Sequence, residues 1–250
     1  MNSIDLTEIL DCATHAAKAG AHELMNRLGT DLKIESKTSL EDKVTDADLA
    51  SEKIIRQLIQ QRRPGDSISG EEFEDETVEN AQVRWSIDPL DGTVNFTRGI
   101  PFFATSVAAQ DLESGVWIAG VVVAPALDFV YSAKKGGGAW LTSKGVTKRL
   151  VGPPASRESK IIATGFSYSA IEREQQFIDL ANRMPDFADV RRMGSAALDA
   201  CFVADGSIDA YYERHIKEHD WAAALLIAEE AGQQVKRPKF SGDVASVNLN

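Results

Sequence analysis

The chain's most informative stretch runs Trp85-Ser86-Ile87-Asp88-Pro89-Leu90-Asp91-Gly92-Thr93-Val94-Asn95-Phe96. An apolar strand leads into two aspartates three residues apart, with Pro89 stiffening the turn between them and Gly92 permitting close backbone approach. Such a turn aims two carboxylates and a backbone carbonyl at one point. Hard oxygen donors favour Mg²⁺, Mn²⁺ or Ca²⁺, and the chain has no Cys/His cluster of the kind that holds zinc. Taken alone, an Asp-x-x-Asp-Gly segment reads first as a turn whose side chains bond their own backbone.

The surrounding acidic residues change that balance. Asp46 and Asp48 follow Val44-Thr45, Glu71 and Glu72 follow Ser69-Gly70, Glu213 follows Tyr212, and Asp220 opens a helix. Glu74, Asp75, Glu76 and Glu79 continue the acidic run and read as a solvated face, which is also the plainer reading of Glu71 and Glu72. For Asp220 the plainer reading is a helix cap or dipole partner, worth about 0.5 to 2 kcal/mol, and cap and ligand roles are compatible. Gly136-Gly137-Gly138 lacks the Lys-Ser/Thr ending of a phosphate-cradling loop and reads as a tight turn. Asn95-Phe96-Thr97 matches a glycosylation sequon, which reads as coincidence in a chain that shows no secretion signal.

The elements that must position these groups follow from periodicity. Apolar residues recur at three and four over residues 4–28 and again over 46–63, which predicts two amphipathic helices, the second capped by Thr45 and stopped by Pro64-Gly65. A polar loop is expected between Ile34 and Val44. From Val83 to Leu150 short β-rich runs at 85–87, 104–110, 116–123, 129–132 and 139–142, separated by Gly, Pro and Asp, predict a mostly antiparallel sheet. The rest alternates: strand 160–164, helix 170–184, a strand near Val190, helix 196–204, strand 208–212, helix 220–231 and strand 233–235.

A chain of 250 residues with 43% hydrophobic and 26% charged residues has the makings of a large folded core rather than of disorder. Its net charge of -11 and pI near 4.9 argue against nucleic acid as the main ligand, because such binding neutralises phosphates with Lys and Arg. Cys12 and Cys201 have no metal-type or disulfide-framework spacing, which suits a reducing compartment. Asp5, Glu8, Asp11 and Lys18 exclude a signal-peptide core or membrane span over residues 1–21, so a cytoplasmic protein is expected.

Gly70-Glu71-Glu72, the segment 88–96, Glu213 with Asp220, and Val44-Thr45-Asp46-Ala47-Asp48 resemble, in order and spacing, the signature blocks of the inositol monophosphatase family. The resemblance spans about residues 4 to 237. It implies that Glu71, Asp88, the Leu90 carbonyl, Asp91 and Asp220 ligate two Mg²⁺ ions, with Asp48 and Glu71 holding a third, and Mn²⁺ as a substitute. Asp48, Asp91 and Thr93 become the catalytic set, Thr93 positioning the attacking water. Phosphate is expected on the metals and near the Gly92 and Thr93 backbone, and a polyol ring against Glu213, Gly194, Ser195, Ala196 and Asp220, with Thr164-Gly165-Phe166 as another pocket edge. Bound cations reconcile an acidic protein with a phosphate substrate. Two departures stand out: His219 takes the place of the usual aromatic before Asp220, where it reads as a packing substitute rather than a base, and Gln233 replaces the usual second glycine ahead of a short, polar C-terminus.

The expectation is therefore an α/β, layered αβαβα sugar-phosphatase fold in a single domain, residues 1–250, with a mostly antiparallel N-terminal sheet, a second C-terminal sheet and subdomains about 1–150 and 151–250. The implied activity is lithium-sensitive, Mg²⁺-dependent hydrolysis of a small phosphorylated polyol, inositol 1-phosphate first, by a homodimer without nucleic-acid or membrane partners. Histidinol-phosphate, fructose-1,6-bisphosphate and adenosine bisphosphate phosphatases are the rivals within the superfamily. A regulatory binding partner of the transcription machinery is the rival of another class.

Overall fold

The expected first helix forms as α1 (Leu6–Arg27), with the Asp5 carboxylate accepting from Thr7 N at 2.8 Å. The computed structural model describes residues 4–30, 34–36 and 43–249. Within the stretch expected to be a loop, β1 (Ile34–Ser36) pairs antiparallel with β2 (Lys43–Thr45), and the residues between them lie outside the described set. Then α2 (Asp46–Arg62) starts at its expected cap. Thr45 Oγ1 accepts from Ala47 N at 3.1 Å while Asp48 Oδ2 reaches back to Thr45 N at 2.9 Å, a reciprocal capping box.

The larger sheet runs in sequence order through β3 (Ser67–Gly70), β4 (Val83–Asp91), β5 (Ala104–Asp111), β6 (Trp117–Ala124), β7 (Phe129–Lys134), β8 (Ala139–Ser143) and β9 (Val146–Arg149). Only the β3–β4 pair is parallel. Alternation divides its two faces. Trp85, Ile87, Val107 and Val121 meet Ile9, Ala13, Ile55 and Ile59 of α1 and α2, while Ala104, Ala108, Val122 and Tyr131 face the opposite way.

That opposite face packs on α5 (Ala196–Ala204) and α6 (Glu218–Glu230), whose other sides cover a second sheet. This sheet comprises β10 (Ile161–Thr164), β11 (Asp189–Arg191), β12 (Ala210–Arg214), β13 (Val235–Lys236) and β14 (Val244–Val247), in the order β11-β10-β12-β14-β13. A further helix, α4 (Ala170–Arg183), supplies Leu180 to the outer side of that sheet, where Ile162, Ala210 and Tyr212 are buried. The layers are thus helices, sheet, helices, sheet, helix, the αβαβα order expected. One core cluster draws residues from both sides of position 150, from Leu141 to Leu226.

Five strands escape the periodicity argument: β1 and β2, in the stretch expected to be a loop, and β3, β9 and β14. The last corrects the expected polar C-terminus, since Val244, Ala245, Ser246 and Val247 are all buried between β12 and β13. The strand expected over 208–212 lies two residues later as Ala210–Arg214, so Glu213 sits inside it rather than after it.

Candidate active site

The aspartates of the 88–96 segment are carried by the end of β4, where the register with β5 shifts between Asp88 and Asp91. That irregularity turns both carboxyls toward the same side, and the Pro89 carbonyl is pinned by Ser51 Oγ at 3.2 Å and Thr105 Oγ1 at 3.0 Å. Gly92 then takes φ 98°, and a Cβ there would stand 2.9 Å from the Phe102 carbonyl oxygen, so both angle and space call for glycine. The chain continues into α3 (Thr93–Thr97), a single short turn.

These residues border a cavity of about 330 Å³ between the two sheets, whose walls include Glu71, Asp88, Leu90, Asp91, Thr93, Glu213 and Asp220. Glu71 is held at the end of β3, its N–H donating to the Ile87 carbonyl at 3.1 Å. Asp220, in the first turn of α6, accepts from Lys217 N at 2.6 Å through Oδ2, so it does cap its helix. Asp91 Oδ2 accepts from Ser195 Oγ at 2.6 Å and from Ala197 N at 2.7 Å at the start of α5.

Like charges crowd this wall. Burial first, then Glu71, Asp91 and Asp220, push the Asp88 carboxyl well above its usual range. Burial and Asp220 raise Asp91 to about 7 against the opposing bonds from Ser195 and Ala197, and burial with Glu71 raises Asp220 to about 7. No Lys or Arg among the described residues forms an ion pair with Asp88 or Asp91. Clustered carboxyls, two of them buried and none of those two in an ion pair, together with a backbone carbonyl, suit a hard divalent ion. Glu71, Asp88 and His219 each offer a ligand atom, and the three atoms lie within 4.8 Å of one another.

Not every expected residue reaches the cavity. Asp48 is fully buried behind Thr93, with Oδ2 2.6 Å from Thr45 Oγ1 and Oδ1 3.2 Å from Thr93 Oγ1. The same Thr93 hydroxyl lies 3.1 Å from the Leu90 carbonyl, so its one proton has two acceptors to choose between. Asp46 turns outward to Arg27 at 3.1 Å, and the Glu72 N–H donates to Glu52 Oε2 at 2.8 Å. Ser195 borders the cavity, yet its hydroxyl is given to Asp91, which makes it a support for that carboxylate before it is a substrate contact. Gly194 and Ala196 line the wall as expected, as do Gly165 and Phe166. A side chain at Gly165 would collide with Glu213, its Cβ standing 1.9 Å from Oε1.

Sequence reasoning missed Asp199 and Arg192, which stand beside Glu213 in the cavity wall. Asp199 is 1% exposed and neither of its carboxyl oxygens has a hydrogen-bond partner. Burial, then Glu213 and Asp91, hold its carboxyl well above the usual range, while burial and Asp220 push Glu213 up to about 8. The available signal was a lone acid in the apolar run Ala196-Ala197-Leu198-Asp199-Ala200-Cys201-Phe202. Also missed was the Glu52–Arg56 pair at 2.7 Å, buried at both ends, which braces the segment after Gly70 through Glu72 N and the Phe73 carbonyl.

The remaining motifs resolve simply. Gly136 N and Gly138 N donate to the two oxygens of Glu230 at 2.9 and 3.0 Å, so the triple glycine is a turn holding the protein's own carboxylate. Asn95 is buried, donating to the Phe102 and Met193 carbonyls, which removes it as a glycosylation acceptor. Cys12 and Cys201 are buried free thiols.

Layered sheets with a cluster of acidic side chains at their junction suit a metal-dependent hydrolase. A sequence model of the inositol monophosphatase family matches residues 5–248. The inositol-1-monophosphatase of Mycobacterium leprae is 42% identical over 248 residues, covering 95% of this chain and 84% of that protein. A Pasteurella multocida protein named Nus factor SuhB is 36% identical over 234 residues, covering 91% and 84%. The solved structure of the extragenic suppressor protein SuhB from Bartonella henselae matches with a TM-score of 0.86 at 32% identity, covering 96% of this chain and 93% of that one. The chain belongs to the inositol monophosphatase family, metal-dependent phosphoric monoester hydrolases. No described helix is long and apolar enough to cross a membrane.

Proposed function

We propose that this enzyme hydrolyses inositol 1-phosphate, with Mg²⁺ held by Glu71, Asp88, the Leu90 carbonyl, Asp91 and Asp220. The observation that supports this is one cavity lined both by the carboxyl cage and by a further pair of acids, Glu213 with Asp199. Divalent cations held in the cage would lower the pKa of a water and stabilise charge on the phosphoryl group. The protein's own groups do the rest. Gly92 and Thr93 receive the phosphate, and Thr93, backed by Asp48, orients the attacking water. Glu213 and Asp199 accept hydrogen bonds from ring hydroxyls, which meets the need of Asp199 for partners. Arg192, beside them, limits their mutual repulsion, and Gly194 and Ala196 shape the wall.

A panel of inositol 1-phosphate, histidinol phosphate, fructose 1,6-bisphosphate and glycerol 2-phosphate, assayed for phosphate release with Mg²⁺ and after chelation, tests the assignment. Preference for inositol 1-phosphate with loss of turnover in chelator is expected. A strong preference for histidinol phosphate would move the substrate while leaving the cage intact. The likeness to a protein named Nus factor SuhB favours a second reading, a partner role in the transcription machinery, which pull-down with that machinery would test. We further expect a cytoplasmic homodimer, checked by light scattering.

A further inference from the structure

His219 lies in the first turn of α6, in the cavity wall, one residue before Asp220. Its neighbour Trp221 turns the other way, stacking edge-on against Trp117 at 5.9 Å between ring centres, so an indole already packs the core at this turn. The imidazole faces the carboxyl cage instead. Its Nε2 is 3.6 Å from Asp220 Oδ1, and ligand atoms of His219, Glu71 and Asp88 all lie within 4.8 Å of one another.

A contact of 3.6 Å is too long for a hydrogen bond to Asp220. Two donors of one ion, each about 2.0 to 2.2 Å from it, stand at most roughly 4.4 Å apart. Three donors spread evenly about one ion stand at most roughly 3.8 Å apart, so the Glu71, Asp88 and His219 atoms, mutually within 4.8 Å, need to draw in by up to about 1 Å to share it. An imidazole nitrogen also alters what the site prefers. Mg²⁺ seeks oxygen and gives up its waters reluctantly, whereas Mn²⁺ and Co²⁺ accept nitrogen readily.

We propose that His219 Nε2 ligates one of the site's divalent ions together with Glu71 and Asp88, and biases the enzyme toward Mn²⁺ and Co²⁺ over Mg²⁺. The inference rests on the metal reading of the carboxyl cage given above. Its test is Mn²⁺ added to metal-free protein whose histidines carry ¹⁵N, examined by pulsed electron paramagnetic resonance and by calorimetry. Wild-type protein should show a ¹⁵N hyperfine coupling to bound Mn²⁺. In His219→Phe the coupling should vanish and Mn²⁺ binding weaken by about tenfold or more, with Mg²⁺ affinity unchanged. Mn²⁺ bound without nitrogen coupling in the wild type, or a coupling that survives in His219→Phe, would overturn the assignment and leave the cage standing. Failure of the wild type to bind Mn²⁺ at all would overturn both. The wild-type spectrum is decisive by itself if the Phe variant does not fold, and His219→Gln then serves for the affinity comparison.

Discussion

Removing the metal should make the protein's stability depend on pH in a direction opposite to ordinary acid denaturation. Asp91 is 9% exposed and its carboxyl is raised from 3.8 to about 7 by burial and by Asp220. Between those values the unfolded chain has released the proton and the native state has kept it. Stability from this group is thus complete below about 4 and is lost as pH rises to about 7. One proton over the two units from pH 5 to pH 7 corresponds to on the order of 3 kcal/mol. For a chain of 250 residues this lowers Tm by roughly 6 to 12 °C. Asp220, raised to about 7 by burial and Glu71, acts in the same sense. Thermal unfolding of chelated, dialysed protein at pH 5 and pH 7, with and without added Mg²⁺, measures it. The metal-induced gain in Tm should be larger at pH 7. Asp91→Asn should flatten the slope of the metal-free protein and abolish turnover. Equal Tm at both pH values without metal, or an unchanged slope in Asp91→Asn, would refute the electrostatic account.

Thr93→Ala should lower kcat by an order of magnitude or more with little change in KM, because an orienting hydroxyl acts mainly in the transition state and Thr45 still holds Asp48. An effect confined to KM would count against that role. Glu213→Gln should cost about 1 to 3 kcal/mol in kcat/KM for inositol 1-phosphate and less for glycerol 2-phosphate, with calorimetric metal binding unchanged. Equal losses on the two substrates would remove Glu213 from ring recognition. Arg56→Met strips the cation from fully buried Glu52 and should destabilise the fold by about 3 to 5 kcal/mol in urea unfolding, with Glu52→Gln in the same chain restoring part of it. A neutral result would mean that Glu52 finds another partner.

The sequence displayed the cage more clearly than the acids around Glu213. Asp88, Asp91, Glu71 and Asp220 announce themselves because acids beside strand ends, glycine and proline have few structural uses in common. Thr45 and the helix 196–204 were equally legible, one from cap chemistry and the other from a continuous apolar run. Asp199 was hidden by that same run, since helix periodicity says nothing about which cavity one acid meets once a second sheet covers the helix. Glu52 and Arg56 stand four residues apart on α2, a spacing that by itself does not tell a surface pair from a buried one, and the segment after Gly70 folds over them. The strands β3, β9 and β14 are four residues each, too short for alternation to separate them from loop, and their pairing is set by distant neighbours. Ser195 shows a different limit: its position near the substrate end was readable, whereas its bond to Asp91 depends on the meeting of residues 104 apart in sequence.

That bond has a mechanical meaning. Ser195 and Ala197 belong to the later half of the chain and Asp91 to the earlier, and Asn95 adds a second stitch to the Met193 carbonyl at 2.8 Å. The seam between the halves is latched at an oxygen of the cage itself. Prising the two sheets apart would strip Asp91 of both donors and scatter the acids that face it, so the cage exists only while the seam is shut. The cavity's rim exposes Tyr168, His215 and Lys217, and a chain severed between β9 and β10 would leave neither fragment with a complete cage.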